Sequence, residues 1–184
     1  MVGLHEPPIP FQELRVEPFK ETADVHGFDC GNKELNDFLT TEEVANYEKE
    51  MLGTTYLVYW IQGGILVAYF TIASQSLSIE YLRKVKGFSI PPEIRLKDIP
   101  GMLIGRLGVD INYKRRTIGS HILRYIAGLA LGTSAATRIL FLEAYPESVP
   151  FYEAFKFRII EHQKLKHSRN RLMYYDLKNH PEKE

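Results

Sequence analysis

Apolar residues in this chain fall into short runs whose period keeps changing, and those changes mark out its elements. Residues 1–10 hold three prolines and predict an irregular lead-in. Leu14 and Val16 then alternate with polar neighbours and predict a first strand over Phe11–Phe19. Leu35, Phe38 and Leu39 share one helical face after Phe28-Asp29-Cys30-Gly31-Asn32, with Asn32 as N-cap and Glu34 in the first turn. Thr40-Thr41-Glu42-Glu43 reads as a capping box pairing Thr40 with Glu43. It predicts a second short helix from Thr41 to Glu50, with Val44, Tyr47 and Met51 facing inward.

Thr54–Ile61 is rich in strong β formers, and Gln62-Gly63-Gly64 makes a tight hairpin turn into a long returning strand over Ile65–Ile79. Tyr81–Lys97 is a polar connection with Pro91-Pro92 and room for one helical turn. Its length exceeds what a compact domain usually needs, which makes it a candidate for function.

Gly101–Leu131 organises the rest. Met102, Leu103, Ile104, Leu107 and Val109 predict a buried strand around Gly105 and Gly108, where a bulge or close approach is expected. Ile118, Ile122, Tyr125, Ile126 and Leu129 then keep one face apolar at a period near 3.6. Between strand and helix sit Lys114, Arg115 and Arg116. A helix N-terminus offers unpaired N–H groups and a positive dipole end, so this turn suits a phosphate or pyrophosphate. The plainer alternative is a solvated basic corner.

Arg138–Ala144 predicts another buried strand, parallel to the first because a helix lies between them. Glu147–Phe155 is a short helix that tolerates Pro150 in its first turn. Phe157–Leu165 and Arg171–Leu177 predict a last strand pair around the basic loop Lys166–Asn170. The order implies an α/β (α+β) chain with one mixed sheet and helices on both faces.

Composition narrows the picture. The 184 residues suit a single domain, and 45% hydrophobic with 25% charged content is ordinary for a globular protein. A lone cysteine, Cys30, leaves no disulfide framework or multi-cysteine metal site, and no metal is expected. No apolar run reaches the roughly 20 residues of a membrane helix. The N-terminus lacks a signal-peptide pattern, so a cytoplasmic location is the default expectation. Net charge is zero, yet residues 1–50 carry twelve acids against four Lys or Arg, leaving the remainder basic. A basic remainder suits an anionic ligand, while the acidic part suits a basic partner or simply a solvated face.

Three motifs together with the element order resemble the GNAT N-acetyltransferase family. Leu103-Ile-Gly-Arg-Leu-Gly-Val-Asp110 followed by Lys114-Arg-Arg-Thr-Ile-Gly-Ser120 resembles its acetyl-CoA motif, Gln/Arg-x-x-Gly-x-Gly/Ala. Lys114 then falls on the Gln/Arg position, Thr117 on the first glycine and Gly119 on the last. Lys114 keeps the cationic character; Thr117 can serve only if its backbone needs no positive φ. Phe151-Tyr-Glu-Ala-Phe-Lys-Phe157 resembles the family's F-Y-x-x-x-G-F segment, with Lys156 at the glycine. Phe28-Asp-Cys-Gly-Asn32 with Leu35, Phe38 and Leu39 resembles the opening of one branch, the acetyltransferase toxins of toxin–antitoxin pairs, whose acceptor is the free amine of aminoacyl-tRNA.

The resemblance implies a GNAT fold over about residues 11–178, with a mostly antiparallel sheet and a central splayed parallel pair. It implies acetyl-CoA as cosubstrate, its pantetheine arm on the backbone of Leu107, Gly108 and Val109 and its pyrophosphate on Arg115, Arg116, Thr117, Ile118, Gly119 and Ser120. The side chains of Lys114, Arg115 and Arg116 are candidate phosphate contacts. Val109 N–H would stabilise the carbonyl oxygen and Tyr152 would return a proton to the departing thiolate. Glu143 is the best-placed candidate base, or else a structural partner of Arg106 or Tyr145; a water chain is the alternative. Asp110 is expected to cap a turn, and His26 and His121 to be surface or packing residues. Cys30 is expected to be a small buried residue, since direct transfer needs no nucleophile.

The implied function is direct acetyl transfer to a primary amine. The acceptor is charged tRNA in the toxin reading, and a small amine or peptide N-terminus otherwise. Lys156–Arg171, with six Lys or Arg against Glu161, is the stretch suited to an RNA backbone. A non-catalytic acyl-CoA-binding or partner-binding module is the alternative class. An antitoxin protein and a second copy in a homodimer are open as partners.

Overall fold

The computed structural model describes residues 6–181, so the first five residues of the expected lead-in lie outside the described residues. Seven strands form one sheet among them: β1 (Leu14–Pro18), β2 (Thr54–Trp60), β3 (Ile65–Ser78), β4 (Asp98–Val109), β5 (Ile139–Ala144), β6 (Arg158–Ile159) and β7 (Arg171–Asp176). Their order is β1-β2-β3-β4-β5-β7-β6. The helices are α1 (Lys33–Thr40), α2 (Glu43–Lys49), α3 (Ile79–Leu82), α4 (Ile118–Gly132) and α5 (Val149–Ala154). The chain forms two compact units, one of residues up to Ala73 with Gly105–Tyr125, the other of Ser74–Ile104 with residues from Ile126 on.

In the first unit β1, β2 and β3 run antiparallel, with Val16 opposite Val58 and Tyr56 opposite Phe70. Adjacent residues of a strand point to opposite faces, and here each face receives a helix. Tyr69 meets Phe28 edge-on at 5.5 Å and stacks near Phe38 of α1 at 6.2 Å, within a core that includes Leu39, Val44 and Leu57. Its neighbour Phe70 stacks on Tyr56 at 5.0 Å and meets Tyr125 of α4 at 6.0 Å. Thus α1 and α4 cover opposite faces, as the alternation requires. Arg106 locks α1 and α2 to β4. Its guanidinium lies 3.6 Å from the centroid of Phe38 and 5.1 Å from that of Tyr47, and pairs with Glu43 at 3.2 Å.

α1 begins as expected, with the Asn32 side chain accepting from Leu35 N–H at 3.2 Å. The capping box of α2 does not form. α1 continues through Thr40, whose hydroxyl donates to the Asn36 carbonyl, and Thr41 instead accepts from Glu43 N–H at 3.2 Å. Val44 is buried, but Met51 is 90% exposed. Met51 stands at φ 54 as the left-handed residue that ends α2, closed by Met51 N–H to Glu48 and Leu52 N–H to Tyr47, and so points away from the core.

In the second unit β4 and β5 pair in parallel over three residue pairs, Gly101 with Ile139 through Leu103 with Phe141. Both strands continue beyond that ladder. A Cβ at Gly101 would stand 2.9 Å from Ile139 Cγ1 and 3.0 Å from its carbonyl oxygen, so this pairing requires glycine. β7 pairs antiparallel with β5 and with β6. The long connection after β3 is anchored: Leu82 and Phe88 enter a core with Ile99, Ile139, Phe141, Ile160 and Tyr174. The strand expected over Phe157–Leu165 is only Arg158–Ile159, because the His162 side chain accepts from Lys164 N–H and starts a 3-10 turn over Gln163–Leu165. No helix among the described residues is long and apolar enough to cross a membrane.

Arg138 at the head of β5 makes a two-pronged ion pair with Asp176 at the end of β7, at 2.7 and 2.8 Å. Burial alone would push the Asp176 carboxyl up, but Arg138 and the Lys178 N–H hold it below its ordinary 3.8. A depressed carboxylate adds stability above its ordinary pKa and loses it as pH falls through the folded value. Asp176→Asn is expected to lower unfolding free energy by roughly 2 kcal/mol at pH 7. The deficit should shrink below about pH 4. Urea denaturation at pH 7 and pH 3 measures both, and an equal deficit at the two values would contradict this account.

Candidate functional site

The site residues expected from the sequence fall into two groups, one in each unit. Leu107 to Ser120 are contiguous in the first unit; Glu143 and Tyr152 belong to the second.

At the end of β4, Gly108 is buried while Leu107 and Val109 are half-buried. A Cβ on Gly108 would stand 3.0 Å from Tyr69 Cε1 and 3.4 Å from Cys30 Sγ, so a side chain here would have to push these buried neighbours aside. Asp110 caps the following turn, accepting from Asn112 N–H at 2.9 Å, and its own N–H donates to the Val67 carbonyl. The chain then turns into α4 through two left-handed residues, Arg115 at φ 63 and Thr117 at φ 66. The condition set from the sequence, that the backbone at Thr117 need no positive φ, is therefore not met. The residue stands in the left-handed region that glycine enters freely, although a β-branched side chain disfavours it. Its hydroxyl compensates by donating to the Arg116 carbonyl at 2.6 Å and lying 3.2 Å from His121 Nε2.

Two of the three cations in this turn are engaged within the protein. Lys114 Nζ donates to the Cys30 carbonyl at 2.7 Å. Arg116 is 8% exposed. It donates to the Pro7 carbonyl at 2.9 Å, pairs with Glu6 at 2.8 Å and stacks 4.9 Å from the Trp60 ring. Arg115 is exposed, at the apex of the turn. An ammonium has three N–H bonds, so Lys114 retains donors after satisfying Cys30.

Residues Glu6–Phe11 form a strap along this turn, which local sequence signals did not reveal. Ile9 is 1% exposed, and its N–H donates to the Arg116 carbonyl at 3.0 Å. His121 Nε2 lies 3.1 Å from the Ile9 carbonyl oxygen. A carbonyl only accepts, so Nε2 carries a proton there. His121 is a packing residue, as expected, and His26 is exposed. Ile118 is 1% exposed and anchors the first turn of α4, with Gly119 and Ser120 half-buried beside it.

Phe28–Asn32 braces the same turn, and its role was also missed. Asp29 Oδ1 accepts from Gly31 N–H and from the Asn36 amide, both at 2.7 Å. A side chain accepting from the N–H two residues on is an Asx turn, and Asp-x-Gly is the local signal that could have revealed it. Cys30 is 5% exposed and burial pushes its thiol up, which suits an inert packing residue.

In the second unit, Tyr152 sits in α5, whose end is a complete Schellman closure. Lys156 N–H donates to Glu153 at 2.8 Å and Phe157 N–H to Tyr152 at 3.0 Å. Lys156 takes φ 70, again in the left-handed region that favours glycine. The Tyr152 and Phe157 rings meet at 5.6 Å, the apolar contact that accompanies such a closure. Phe151 packs on Tyr152 at 5.0 Å. Burial pushes the Tyr152 phenol well above its ordinary 10, so it is protonated throughout the neutral range. Glu143 is exposed on β5 opposite Leu172. Its suggested partner Arg106 pairs with Glu43 instead.

No family model matches the chain. A tRNA-acetylating toxin of Mycobacterium tuberculosis (strain ATCC 25618 / H37Rv) is 28% identical over 145 residues, 76% of this chain and 81% of that protein. Among solved structures, a bacterial toxin superposes with a TM-score of 0.76 at 18% identity, over 93% of this chain and 92% of its own. The toxin AtaT complexed with acetyl-methionyl-tRNAfMet gives 0.70 at 21%, over 90% and 95%. AtaT bound to the C-terminus of the antitoxin AtaR and acetyl-CoA gives 0.68 at 20%, over 90% and 94%. The chain has the GNAT fold of these neighbours, and its resemblance is to the toxin-like branch.

Left-handed residues other than glycine carry roughly 1–2 kcal/mol of backbone strain. Lys156→Gly is therefore expected to stabilise the protein by about 1 kcal/mol, seen as a higher denaturation midpoint with unchanged slope. Thr117→Gly should give less, because it also removes the hydroxyl contacts to Arg116 and His121. A destabilised Lys156→Gly protein would show that the left-handed closure is unstrained.

Proposed function

We propose that this protein is an acetyl-CoA-dependent N-acetyltransferase that transfers the acetyl group directly to a primary amine, with the aminoacyl group of charged tRNA as acceptor. The observation that carries the reading is the backbone at Thr117 and Lys156. At both positions where the sequence departs from the family's glycine, the backbone stands at positive φ, the region glycine enters freely. Two left-handed residues at these motif positions, despite their Cβ atoms, support an intact turn and helix end over a module in which both have been lost. The fold neighbours and the 28% identical tRNA-acetylating toxin support the same class of chemistry.

Acetyl transfer needs a thioester held still, an unprotonated amine and a proton for the departing thiolate. In this reading the whole chain works as one acetyltransferase domain. Leu107, Gly108 and Val109 present backbone to the pantetheine arm. The turn Lys114–Ser120 takes the pyrophosphate on its N–H groups, helped by the positive end of α4. Arg115, exposed at the apex, is the first candidate for a direct phosphate contact, and Lys114 contributes its remaining N–H bonds. Arg116, buried against Trp60 and Glu6, shapes the turn.

The Val109 N–H stabilises the carbonyl oxygen as charge builds on it. The amine attacks the acetyl carbon, the C–S bond breaks, and Tyr152 gives its proton to the sulfur. A phenol held protonated by burial is always loaded for that step. Before attack, Glu143, exposed on β5, or a water chain takes the proton from the acceptor's ammonium and frees its lone pair. Exposed cations along Lys156–Arg171 suit an RNA acceptor. An antitoxin protein and a second copy of the chain complete the proposed partners. A small amine or a peptide N-terminus is the runner-up acceptor.

The test is release of free thiol from acetyl-CoA, measured with charged tRNA, small amines and N-terminal peptides. Charged tRNA is expected to support turnover that falls as salt rises. Turnover with small amines alone would sink the RNA reading, and tight acetyl-CoA binding without turnover on any acceptor would favour the module. Tyr152→Phe is expected to lower kcat by about 100-fold with little change in KM for acetyl-CoA. Because burial raises the phenol, kcat/KM should show no decline from loss of the acid between pH 8 and about 10.

A further inference from the structure

The motif Phe28–Asn32 is left unused by the chemistry above, although it is the stretch most like the toxin branch. Its contacts all lead to one place. Asp29 N–H donates to Asp110 Oδ2 at 3.2 Å, and Ile111 N–H donates to the Asp29 carbonyl at 2.8 Å. The Cys30 carbonyl receives Lys114 Nζ at 2.7 Å. Cys30 Sγ packs against the open face of Gly108. One short turn thus touches the end of β4 at Gly108, the cap residue Asp110, the next residue Ile111, and Lys114.

The turn is itself rigidly held. Gly31 N–H and the Asn36 amide both bind Asp29 Oδ1, and Cys30 N–H donates to Asn36 Oδ1 at 2.9 Å. Gly31 stands at φ 77, and a Cβ there would lie 3.3 Å from Ile111 Cγ2 and 3.5 Å from Lys114 Nζ. Asn36 lies on α1, so α1 sets the turn and the turn sets the strand-to-helix connection. Gly31 N–H and Asn36 also hold the Asp29 carboxyl below its ordinary 3.8, keeping it an ionised acceptor at neutral pH.

We infer that Phe28–Asn32 positions the pyrophosphate-binding turn of the acetyl-CoA site, and that Asp29 is its positioning residue, acting through the Cys30 carbonyl on Lys114. The inference rests on the acetyl-CoA reading of that turn. Asp29 touches no reacting atom. It fixes the two-residue bridge whose carbonyls hold Ile111 and Lys114, so that the Lys114 ammonium and the N–H groups after it meet the phosphates already oriented. Without that bridge the ammonium swings on a four-carbon stem, and part of the phosphate binding energy is lost to ordering it. Catalysis, which depends on Val109 and Tyr152, is not expected to change once the cofactor is bound.

The experiment compares two acetyl donors, full acetyl-CoA and S-acetyl-pantetheine, which lacks the pyrophosphate. Asp29→Ala is expected to raise KM for acetyl-CoA by about ten-fold with kcat held within about two-fold. kcat/KM for S-acetyl-pantetheine should stay within about two-fold of wild type. Asp29→Asn keeps an acceptor oxygen and should restore most of the acetyl-CoA affinity. Lys114→Met, which keeps the Asp110 and Ile111 contacts to Asp29, should reproduce the selective loss, and adding Asp29→Ala to it should cost little more. Equal losses with both donors, or an unchanged KM for acetyl-CoA in Asp29→Ala and Lys114→Met, would overturn the inference. If wild type neither binds acetyl-CoA nor turns over, the functional reading itself fails, and that outcome is separate from a wild type that works alongside variants that match it.

Discussion

The connection from β4 to α4 is where two braces from distant parts of the first unit converge. It is a tight turn carrying Arg115 and Thr117 in the left-handed region, and such a turn does not hold itself. It is held by the strap of Glu6–Phe11 through Arg116, Ile9 and His121, and by Phe28–Asn32 through Asp110, Ile111 and Lys114. Both braces come from residues far away in sequence, so the turn exists only when the unit is folded. The functional consequence is a preorganised row of N–H groups at the head of α4, with Arg115 exposed above it.

Glycine in a motif is one way to meet a backbone requirement, not the requirement itself. Thr117 shows the alternative at the β4–α4 turn, where hydroxyl contacts to Arg116 and His121 offset the crowding of its Cβ. Lys156 shows it at the end of α5, where two closing hydrogen bonds and the contact between Tyr152 and Phe157 hold the left-handed residue in place. At α5 the consequence reaches the chemistry directly, because the residue whose carbonyl receives the Phe157 N–H is Tyr152. The strained lysine and the proposed acid belong to one hydrogen-bonded closure.

Charge at the turn divides in the same way between structure and ligand. A run of Lys114, Arg115 and Arg116 reads as three equivalent phosphate contacts, but folding separates them. Arg116 is buried on Trp60, Lys114 is tethered to Cys30, and Arg115 faces solvent. Arg106 follows the same logic. It looked available to Glu143, yet Phe38 and Tyr47 offer it a cation–π cage beside Glu43. A cation that finds an aromatic face and a carboxylate in its own unit is withdrawn from the ligand.

What the sequence determined by itself was the succession of elements, because hydrophobic period is a local property. The hairpin of β2 and β3, the Asn32 cap of α1, the parallel neighbours β4 and β5 around α4, and the aromatic helix bearing Tyr152 were all legible in it. So was the likeness to the toxin branch. Local reading failed where two local signals competed: Thr40 served the end of α1 rather than the start of α2, and His162 stopped β6 after two residues. Only the tertiary structure decided that Arg116 is buried while Lys114 is tethered to Cys30, that Thr117 and Lys156 stand at positive φ, and that Asp29 is hydrogen-bonded to Asp110. The reason is physical. Those outcomes depend on partners such as Glu6 for Arg116 and Cys30 for Lys114, which lie far apart along the chain and meet only when the sheet and its helices close around them.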